Sequence, residues 1–178
     1  MEIQGRRILV TGASSGIGHA LALELASRGA RLVVTARSVD KLEELAAATD
    51  AEVFPADLSI CGAAADLAAR VGPVDILVNN AGAGLAAPVA TIGDDEQARA
   101  AFELNYWSPL ALIGALTPPV IVNVTSSTTI GVMPLVAVYA GSKCAVEGFT
   151  ESMAYELEAF NIKARLVEPG YAPTTNFT

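Results

Sequence analysis

The sequence predicts an α/β protein of three αβα layers, built on a doubly wound parallel sheet. Short runs rich in Val, Ile and Leu alternate along the chain with longer amphipathic stretches, which is the pattern of repeated βαβ units. The short runs are almost wholly apolar, as expected for strands that are buried on both faces. Glycines and polar residues stand where these strands end, and ligands bind at that edge of such sheets.

The predicted elements alternate regularly over 178 residues, a length that suits one domain. Strands are predicted at residues 7–11, 31–35, 52–56, 75–79, 120–126 and 164–170. Helices are predicted at residues 17–28, 39–49, 62–71, 94–105, from 106 to the prolines at 118 and 119, and at 139–160. On the last helix, the periodicity places Phe149, Met153 and Phe160 on one apolar face. Right-handed crossovers would wind these units into the doubly wound sheet.

The composition argues against several classes of protein. Hydrophobic residues make up 52% of the chain and charged residues 17%, which suits a folded core and not a disordered chain. The net charge is −8 and no basic patch stands out, so we expect no nucleic-acid binding. Two cysteines and one histidine leave no metal-site spacing. No signal peptide or uninterrupted membrane span is visible, and we expect a soluble cytoplasmic protein.

A glycine-rich stretch, TGASSGIG at residues 11–18, joins the first predicted strand to the first predicted helix. Gly12 permits a tight turn, while Gly16 and Gly18 let the backbone approach a ligand and let the helix pack on the strand. The start of the helix offers N–H groups and a positive dipole end to a pyrophosphate. In this context the stretch indicates a dinucleotide loop, and a turn without a ligand is the alternative.

A tyrosine and a lysine stand four residues apart in YAGSK, residues 139–143. On a helix, Tyr139 and Lys143 would share one face. A nearby cation favours the phenolate form, so this spacing predicts that Lys143 lowers the pKa of Tyr139. By itself the pair also fits an ordinary helix start with a surface lysine.

Taken together, these motifs resemble those of the short-chain dehydrogenase/reductase family, over essentially the whole chain. The glycine spacing is Gly-x-x-x-Gly-x-Gly, and Asp57 follows the third strand in PADLS. NNAG at 79–82, YAGSK at 139–143 and PGYAPT at 169–174 follow in the family's order. The resemblance implies one NAD(P)-binding Rossmann domain over residues 1–178.

The resemblance also implies a set of cofactor contacts. They are Gly12, Ser14, Ser15, Gly16, Ile17, Gly18, Arg37, Asp57, Leu58, Asn79, Ala81, Gly82, Tyr139, Lys143, Pro169, Gly170 and Thr174. An acidic residue at the end of the second strand would favour NAD, but the chain has Ala36 there, followed by Arg37. Arg37, helped by Ser14, could hold a 2′-phosphate, so we expect NADP(H) in preference to NAD(H). The alternative is that Arg37 is a solvated surface residue.

The family's catalytic tetrad falls on Asn105, Ser126, Tyr139 and Lys143. The resemblance implies that Tyr139 exchanges a proton with the substrate oxygen and that Ser126 stabilises that oxygen. Lys143 would tune Tyr139 and hold the nicotinamide ribose, and Asn105 would anchor a water in a proton relay. Ser127 is the alternative for the serine.

The chain departs from the family pattern in two places. The stretch between Asn105 and Ser126 is shorter than the family's, and the chain ends at Thr178, before the usual substrate-covering helix and last strand. Candidate substrate-pocket residues are mostly small or apolar: Ala83, Gly84, Thr128, Met133, Leu135 and Tyr171. They predict an uncharged, fairly apolar alcohol or ketone as substrate, and the family predicts a homodimer or homotetramer.

The leading hypothesis is therefore an NADP(H)-dependent oxidoreductase that interconverts a carbonyl and a secondary alcohol. An alternative is a catalytically silent NADP-binding sensor or scaffold of the same fold. A third is a non-redox enzyme of related fold, such as an epimerase or lyase, which would act without net oxidation of the cofactor.

Overall fold

A computed structural model describes residues 2–92, 95–131 and 133–170 of the chain. The strands are β1 Arg7–Thr11, β2 Arg31–Thr35, β3 Glu52–Val53, β4 Ile76–Asn79, β5 Val120–Val124 and β6 Lys163–Val167. The α-helices are α1 Gly16–Ser27, α2 Val39–Thr49, α3 Ala63–Val71, α4 Val89–Ile92, α5 Glu96–Phe102, α6 Ser108–Leu116 and α7 Ala137–Glu158. A π-helical segment, Glu103–Trp107, joins α5 to α6, and a 3₁₀ turn, Ser127–Thr129, follows β5.

All six strands run parallel in one sheet, in the order β3–β2–β1–β4–β5–β6. The order of winding reverses between β1 and β4, which opens a crevice at the carboxyl ends of these strands. Thr11 pairs in register with Thr35, and Asn79 pairs with Asn123, so the strand ends lie level along this edge.

Helices cover both faces of the sheet. Ile8 and Val10 of β1 pack on one face with buried residues of α1 and α2. Leu9 of β1 points to the other face, where it packs with buried residues of α3 and α6 and with half-buried residues of α7. The alternation of side chains along a strand explains this division. The predicted fold class, a doubly wound parallel sheet in three layers, is confirmed.

The helix predicted at 94–105 continues, in a different form, into the helix after it. Asp95 caps α5 by accepting a hydrogen bond from the Gln97 N–H at 2.9 Å. The helix then widens into the π-helical segment and runs on into α6, which ends where Thr117 adopts a left-handed conformation with φ of 40° before Pro118. A π-helical turn inserts one residue into a helix and often marks a functional position.

Several predicted elements end too late: the third, fifth and sixth strands end at Val53, Val124 and Val167, and the last helix also ends early. Phe149 and Met153 pack against the core as expected, but Phe160 is 74% exposed. The helix ends at Glu158, and Asn161 has a positive φ of 57°, so Phe160 lies beyond the last helical turn. The predicted apolar face was therefore wrong at this residue.

No helix in the part of the chain that the structure describes is long and apolar enough to cross a membrane. Within the same residues, no group of three or more His, Cys, Asp or Glu side chains comes together as a possible metal site.

Candidate active site

The glycine loop lies at the carboxyl end of β1, in the crevice. Gly12 and Gly16 have positive φ values of 69° and 57°, which favour glycine. A Cβ on Gly12 would lie 2.8 Å from Ala81 Cα, and a Cβ on Gly18 would overlap with the Gly12 carbonyl oxygen and the Asn80 amide. The loop and the start of α1 are therefore packed as closely as backbone allows, as the sequence predicts for Gly12 and Gly18.

Thr11 and Asn80 hold this loop in place, and neither was among the predicted site residues. Asn80 Nδ2 donates to the carbonyl oxygens of Thr11 at 2.9 Å and of Gly12 at 3.3 Å. Thr11 Oγ1 accepts hydrogen bonds from the N–H groups of Asn80 and Ala81, at 3.0 and 2.9 Å. The second asparagine of NNAG was the signal available in the sequence.

The first turn of α1 is open toward the crevice. Ser15 is the N-cap residue, but its side chain makes no capping hydrogen bond, and no acidic residue lies in the first turn. Ile17 is exposed there, and Ser14 is half-buried. Backbone N–H groups at the start of a helix, without a capping side chain, form a site that suits an anion such as pyrophosphate.

Arg37 and Asp57 lie beyond the ends of β2 and β3, at the same edge. Asp57 Oδ1 accepts hydrogen bonds from the N–H and hydroxyl of Ser59, at 3.0 and 2.6 Å. Burial alone would raise the pKa of the Asp57 carboxyl, but these hydrogen bonds and the charge of Arg37 hold it below its ordinary value. Next to Asp57, the carbonyl oxygen of Leu58 accepts a hydrogen bond from the Ser108 hydroxyl at 2.7 Å.

The sheet and α7 bring Tyr139 and Ser126 together. Tyr139 lies in the first turn of α7 and is only 6% exposed. Its phenol is hydrogen-bonded to the hydroxyl of Ser126, which follows the end of β5. The alternative serine, Ser127, is exposed, and its N–H donates to the Pro169 carbonyl oxygen at 3.2 Å. The geometry therefore favours Ser126.

Lys143 lies one turn after Tyr139 and is 4% exposed. Its Nζ donates to the Val124 carbonyl oxygen at 2.9 Å, and burial lowers the pKa of Lys143 to about 8. A Cβ on Gly82 would lie 3.2 Å from Nζ, so the absence of a side chain there gives the ammonium its room. The family motif at Gly82 thus has a steric explanation.

Tyr139 differs from the sequence prediction in the direction of its pKa. Burial raises the pKa of the Tyr139 phenol above its ordinary value, and the hydrogen bond with Ser126 opposes this only in part. The predicted lowering by Lys143 is not seen: its Nζ donates to the Val124 carbonyl oxygen, and burial dominates the pKa of the phenol.

Asn105 lies in the π-helical segment, where its side chain is buried and locked. Its Oδ1 accepts from the Ala83 N–H at 3.0 Å, and its Nδ2 donates to the Ala83 carbonyl oxygen at 3.1 Å. Nδ2 also donates to Ser142 Oγ at 3.0 Å, and Ser142 Oγ donates to the Tyr139 carbonyl oxygen at 2.7 Å. Both N–H bonds of the amide are used. Asn105 thus joins α5 and α6 to the turn that carries Tyr139, and Ser142 is a second residue that the prediction missed.

Asn79 faces the interior of the protein. Its Nδ2 donates to Asn123 Oδ1 at 2.8 Å, and Asn123 Nδ2 donates to the Thr150 hydroxyl of α7 at 2.8 Å. This buried chain ties β4, β5 and α7 together, in keeping with a role of NNAG in the central sheet. A contact between Asn79 and a cofactor stays a prediction.

Three of the predicted pocket residues, Thr128, Met133 and Leu135, lie in or just after the turn that follows β5. Thr128 is half-buried, and its N–H donates to Ser126 Oγ at 3.3 Å. Met133 and Leu135 are exposed apolar residues, and the Leu135 carbonyl oxygen accepts from the Ala87 N–H at 2.8 Å. Ala83, Gly84, Ala81, Pro169 and Gly170 are among the described residues, whereas Tyr171 and Thr174 lie outside them.

Replacing Lys143 with methionine should raise the melting temperature near neutral pH. A pKa of about 8 against an ordinary 10.5 means that keeping the buried ammonium charged costs roughly 3 kcal/mol at neutral pH. Loss of the bond to Val124 costs about 1 kcal/mol, so a gain of about 1–2 kcal/mol should remain. Thermal unfolding of both proteins checks this.

The pH dependence of this gain supplies its control. The unfolded lysine binds its proton up to a higher pH than the folded one, so the destabilisation is full below pH 8 and fades as the pH rises toward 10.5. The rise in melting temperature from Lys143→Met should fade in the same pH range. Lys41 is exposed, so Lys41→Met should leave the melting temperature unchanged at every pH. A variant that melts several degrees below the parent protein at neutral pH would show that Lys143 is not a costly buried charge.

Comparison with known proteins decides the family. The family model described as short chain dehydrogenase matches residues 6–178. The chain belongs to the short-chain dehydrogenase family. It is similar to nodulation protein G of Rhizobium sp. (strain N33), with 36% identity over 96% of this chain and 74% of that protein. It is also similar to 11-beta-hydroxysteroid dehydrogenase-like 2 of Arabidopsis thaliana, with 30% identity over 97% of this chain and 61% of that protein.

Solved structures agree with the family assignment. A protein described as a short chain dehydrogenase/reductase family protein superposes with a TM-score of 0.92 and 34% identity, over 99% of this chain and 78% of that one. The RhlG/NADP active-site complex of Pseudomonas aeruginosa gives a TM-score of 0.87 and 31% identity, over 97% and 75%. A metagenomic short-chain oxidoreductase in complex with NADP superposes with a TM-score of 0.85 and 34% identity, over 97% of this chain and 85% of that one. The chain spans about three fifths of the length of several curated relatives.

Proposed function

We propose that this short-chain dehydrogenase is an NADP(H)-dependent oxidoreductase that interconverts a carbonyl and a secondary alcohol, with Tyr139 as general acid and base. The observation that carries the proposal is the buried phenol of Tyr139, hydrogen-bonded to Ser126 at the end of β5, with Lys143 one turn away. This group lies at the same edge of the sheet as the glycine loop. A proton donor and a dinucleotide loop therefore face one crevice.

The crevice suits a nicotinamide dinucleotide. Gly12 and Gly18 have no room for a Cβ, so the glycine loop lies directly against its neighbouring backbone. The start of α1 has no capping side chain, so its N–H groups are available to a ligand. Gly12, Gly16 and the N–H groups near Ile17 would hold the pyrophosphate. Asp57 and Leu58 would lie near the adenine end, and Gly82, Lys143 and Pro169 near the nicotinamide end. When bound, the cofactor supplies or accepts the hydride.

The chain's own residues handle the proton and the developing charge. In reduction, Ser126 and Tyr139 donate hydrogen bonds to the substrate oxygen, and Tyr139 then transfers its proton to that oxygen. Lys143 lies one turn after Tyr139 on α7, and its ammonium would contact the nicotinamide ribose. Asn105 holds the π-helical segment before α6 against α7, through its hydrogen bond with Ser142. In the proton relay that the family resemblance implies, a water at Asn105 would return a proton to Tyr139 through Lys143.

The raised pKa of Tyr139 keeps the phenol protonated near neutral pH, which is the form that carbonyl reduction needs. A phenol with a pKa above its ordinary value stays protonated at neutral pH, which suits a proton donor. Oxidation needs the phenolate, and its share grows only as the pH rises toward this raised pKa.

The choice of NADP(H) rests on Ala36 and Arg37. Ala36 supplies no carboxylate for a free ribose 2′-hydroxyl, and the exposed Arg37 lies where its charge acts on Asp57. A guanidinium matches phosphate oxygens, so a 2′-phosphate would be held there. Two of the similar solved structures are described as complexes with NADP, which supports the proposal.

Changing Ala36 to aspartate should reverse this preference. The new carboxylate would repel a 2′-phosphate and accept a hydrogen bond from a 2′-hydroxyl, so NADPH affinity should fall at least about tenfold while NADH affinity rises. Titration of each protein with NADPH and NADH, followed by Trp107 fluorescence, measures both constants. Ala115→Asp adds the same charge at an exposed site on α6 and should leave the preference unchanged. A parent protein that binds NADH more tightly would overturn the cofactor proposal.

We further propose an uncharged, fairly apolar substrate. Ile130, Met133 and Leu135 are exposed around the turn that carries Ser126, and they offer apolar surface beside the reacting groups. A homodimer or homotetramer and a cytoplasmic location are proposals that rest on the family resemblance.

A further inference from the structure

Ser108 is a buried serine that joins two distant parts of the crevice. It begins α6, directly after the π-helical segment, and its side chain is 0% exposed. Its hydroxyl donates to the Leu58 carbonyl oxygen at 2.7 Å, across 50 positions of the chain. The helix that follows Asn105 is therefore bonded to the turn after β3, where Asp57 lies.

The peptide group between Leu58 and Ser59 is held at both of its polar ends. Its carbonyl oxygen accepts the hydrogen bond from Ser108, and its N–H donates to Asp57 Oδ1 at 3.0 Å. The Ser59 hydroxyl donates to the same carboxylate oxygen at 2.6 Å. Because a peptide group is planar and rigid, a carbonyl that Ser108 fixes also fixes the direction of the N–H that reaches Asp57.

The carboxylate of Asp57 takes its direction from these bonds. Both of them fall on Oδ1, so Oδ2 is the oxygen that can accept from a ligand. Asp57 is half-buried at the edge of the crevice. The exocyclic amine of adenine is a donor that a carboxylate oxygen accepts. A hypoxanthine base carries a carbonyl oxygen in place of this amine, and two acceptors without a proton between them repel each other.

Ser108 lies on an element that is fixed from its other side. Asn105, three residues earlier, bonds both the N–H and the carbonyl oxygen of Ala83, and it also donates to the Ser142 hydroxyl. Asn105 is 1% exposed, so this anchor is buried as well. The hydroxyl of Ser108 therefore holds the Leu58 carbonyl from a rigid support.

We propose that Ser108 is a positioning residue for adenine recognition, which holds the peptide between Leu58 and Ser59 and so directs Asp57 at the exocyclic amine. The proposal rests on the proposed function, in which Asp57 lies near the adenine end of NADPH. Ser108 acts through the peptide group and not by contact with the cofactor. Without its hydroxyl, the Leu58 carbonyl loses its buried donor and the peptide can rotate toward water, which takes the N–H away from Asp57.

The test compares the dissociation constants of NADPH and of its hypoxanthine analogue, in which a carbonyl oxygen replaces the amine. The parent protein should bind NADPH at least about tenfold more tightly than the analogue, since a site built to accept a hydrogen bond rejects a ligand without the donor. Ser108→Ala should bind NADPH about tenfold more weakly than the parent protein and should reduce the ratio between the two ligands to about threefold or less.

Two comparisons separate this effect from a general loss of stability. Ser142→Ala removes an equally buried hydroxyl, which is bonded to the same helical segment through Asn105, and it should keep the ratio of the parent protein. In Asp57→Ala the ratio should already be near one, and adding Ser108→Ala should change it no further. If Ser108→Ala does not fold, Ser108→Cys fills the site with a weak donor and should lower the ratio in the same direction.

Two results would overturn the role of Ser108. One is a Ser108→Ala variant with the ratio of the parent protein, which would mean that the hydroxyl does not direct Asp57. The other is a parent protein that binds NADPH and the analogue equally, which would mean that Asp57 does not contact the amine. Both results come from binding alone, so a protein that prefers NADPH in this way but reduces no carbonyl would contradict the proposed function and leave the role of Ser108 intact.

Discussion

Replacing Tyr139 with phenylalanine should lower kcat for carbonyl reduction by about 10²- to 10⁴-fold, the range that general acid catalysis contributes. The substitution removes only the hydroxyl group, so the ring still fills its site, where the tyrosine is only 6% exposed. Ser126 keeps its hydroxyl and can still bond the substrate oxygen. The dissociation constant for NADPH should therefore change little, and fluorescence titration with steady-state kinetics measures both quantities.

The chain offers a matched control for this substitution on the same helix. Tyr155 also lies on α7 but is 82% exposed, so Tyr155→Phe should leave both kcat and NADPH affinity unchanged. Turnover by Tyr139→Phe within a few fold of the parent protein would mean that another group supplies the proton. If neither the parent protein nor Tyr139→Phe turned over a carbonyl substrate, although both bound NADPH, the catalytically silent alternative would be favoured.

Replacing Gly18 with alanine should abolish measurable NADPH binding. The added Cβ would overlap with the Gly12 carbonyl oxygen and the Asn80 amide, and a backbone atom cannot rotate aside as a side chain can. The start of α1 must then shift from β1, which moves the N–H groups that would hold the pyrophosphate. Because the region between α1 and β1 is close-packed, we also expect a loss of about 1–3 kcal/mol in the free energy of unfolding.

Gly114→Ala is the matched control for the glycine loop. Gly114 is also helical, in α6, and no atom lies within 4 Å of the position its Cβ would take. Alanine has the higher helix propensity, so this variant should be as stable as the parent protein or slightly more so. If Gly18→Ala binds NADPH as tightly as Gly114→Ala does, the glycine loop is not the pyrophosphate site.

The parts of the site that the sequence predicted depend on local geometry. Tyr139 and Lys143 come together because four residues make about one helical turn, and Gly12 and Gly18 lie between a strand and a helix whose periodicity is clear. Their arrangement needs no knowledge of how distant segments pack. Ser126 was predicted from the family resemblance, which places the catalytic serine at the end of the fifth strand.

Distant contacts determine what the sequence missed. Asn80 reaches the Gly12 carbonyl oxygen across 68 positions of the chain, and Ser142 reaches Asn105 across 37. Neither contact produces a periodic pattern in the sequence from which it could have been predicted. The direction of the Tyr139 pKa was missed for the same reason, since it depends on the burial of the phenol by the surrounding structure.

The central claim is that hydride passes between NADPH and a carbonyl carbon in this crevice, and isotope transfer tests it most directly. The protein would be incubated with NADPH deuterated on either face of the nicotinamide and with cyclohexanone, acetophenone or ethyl acetoacetate. One of the two labelled cofactors should give an alcohol with deuterium on the carbinol carbon, with one alcohol formed for each NADPH oxidised. Tight binding of both cofactors, with no labelled alcohol from any of these ketones, would contradict it.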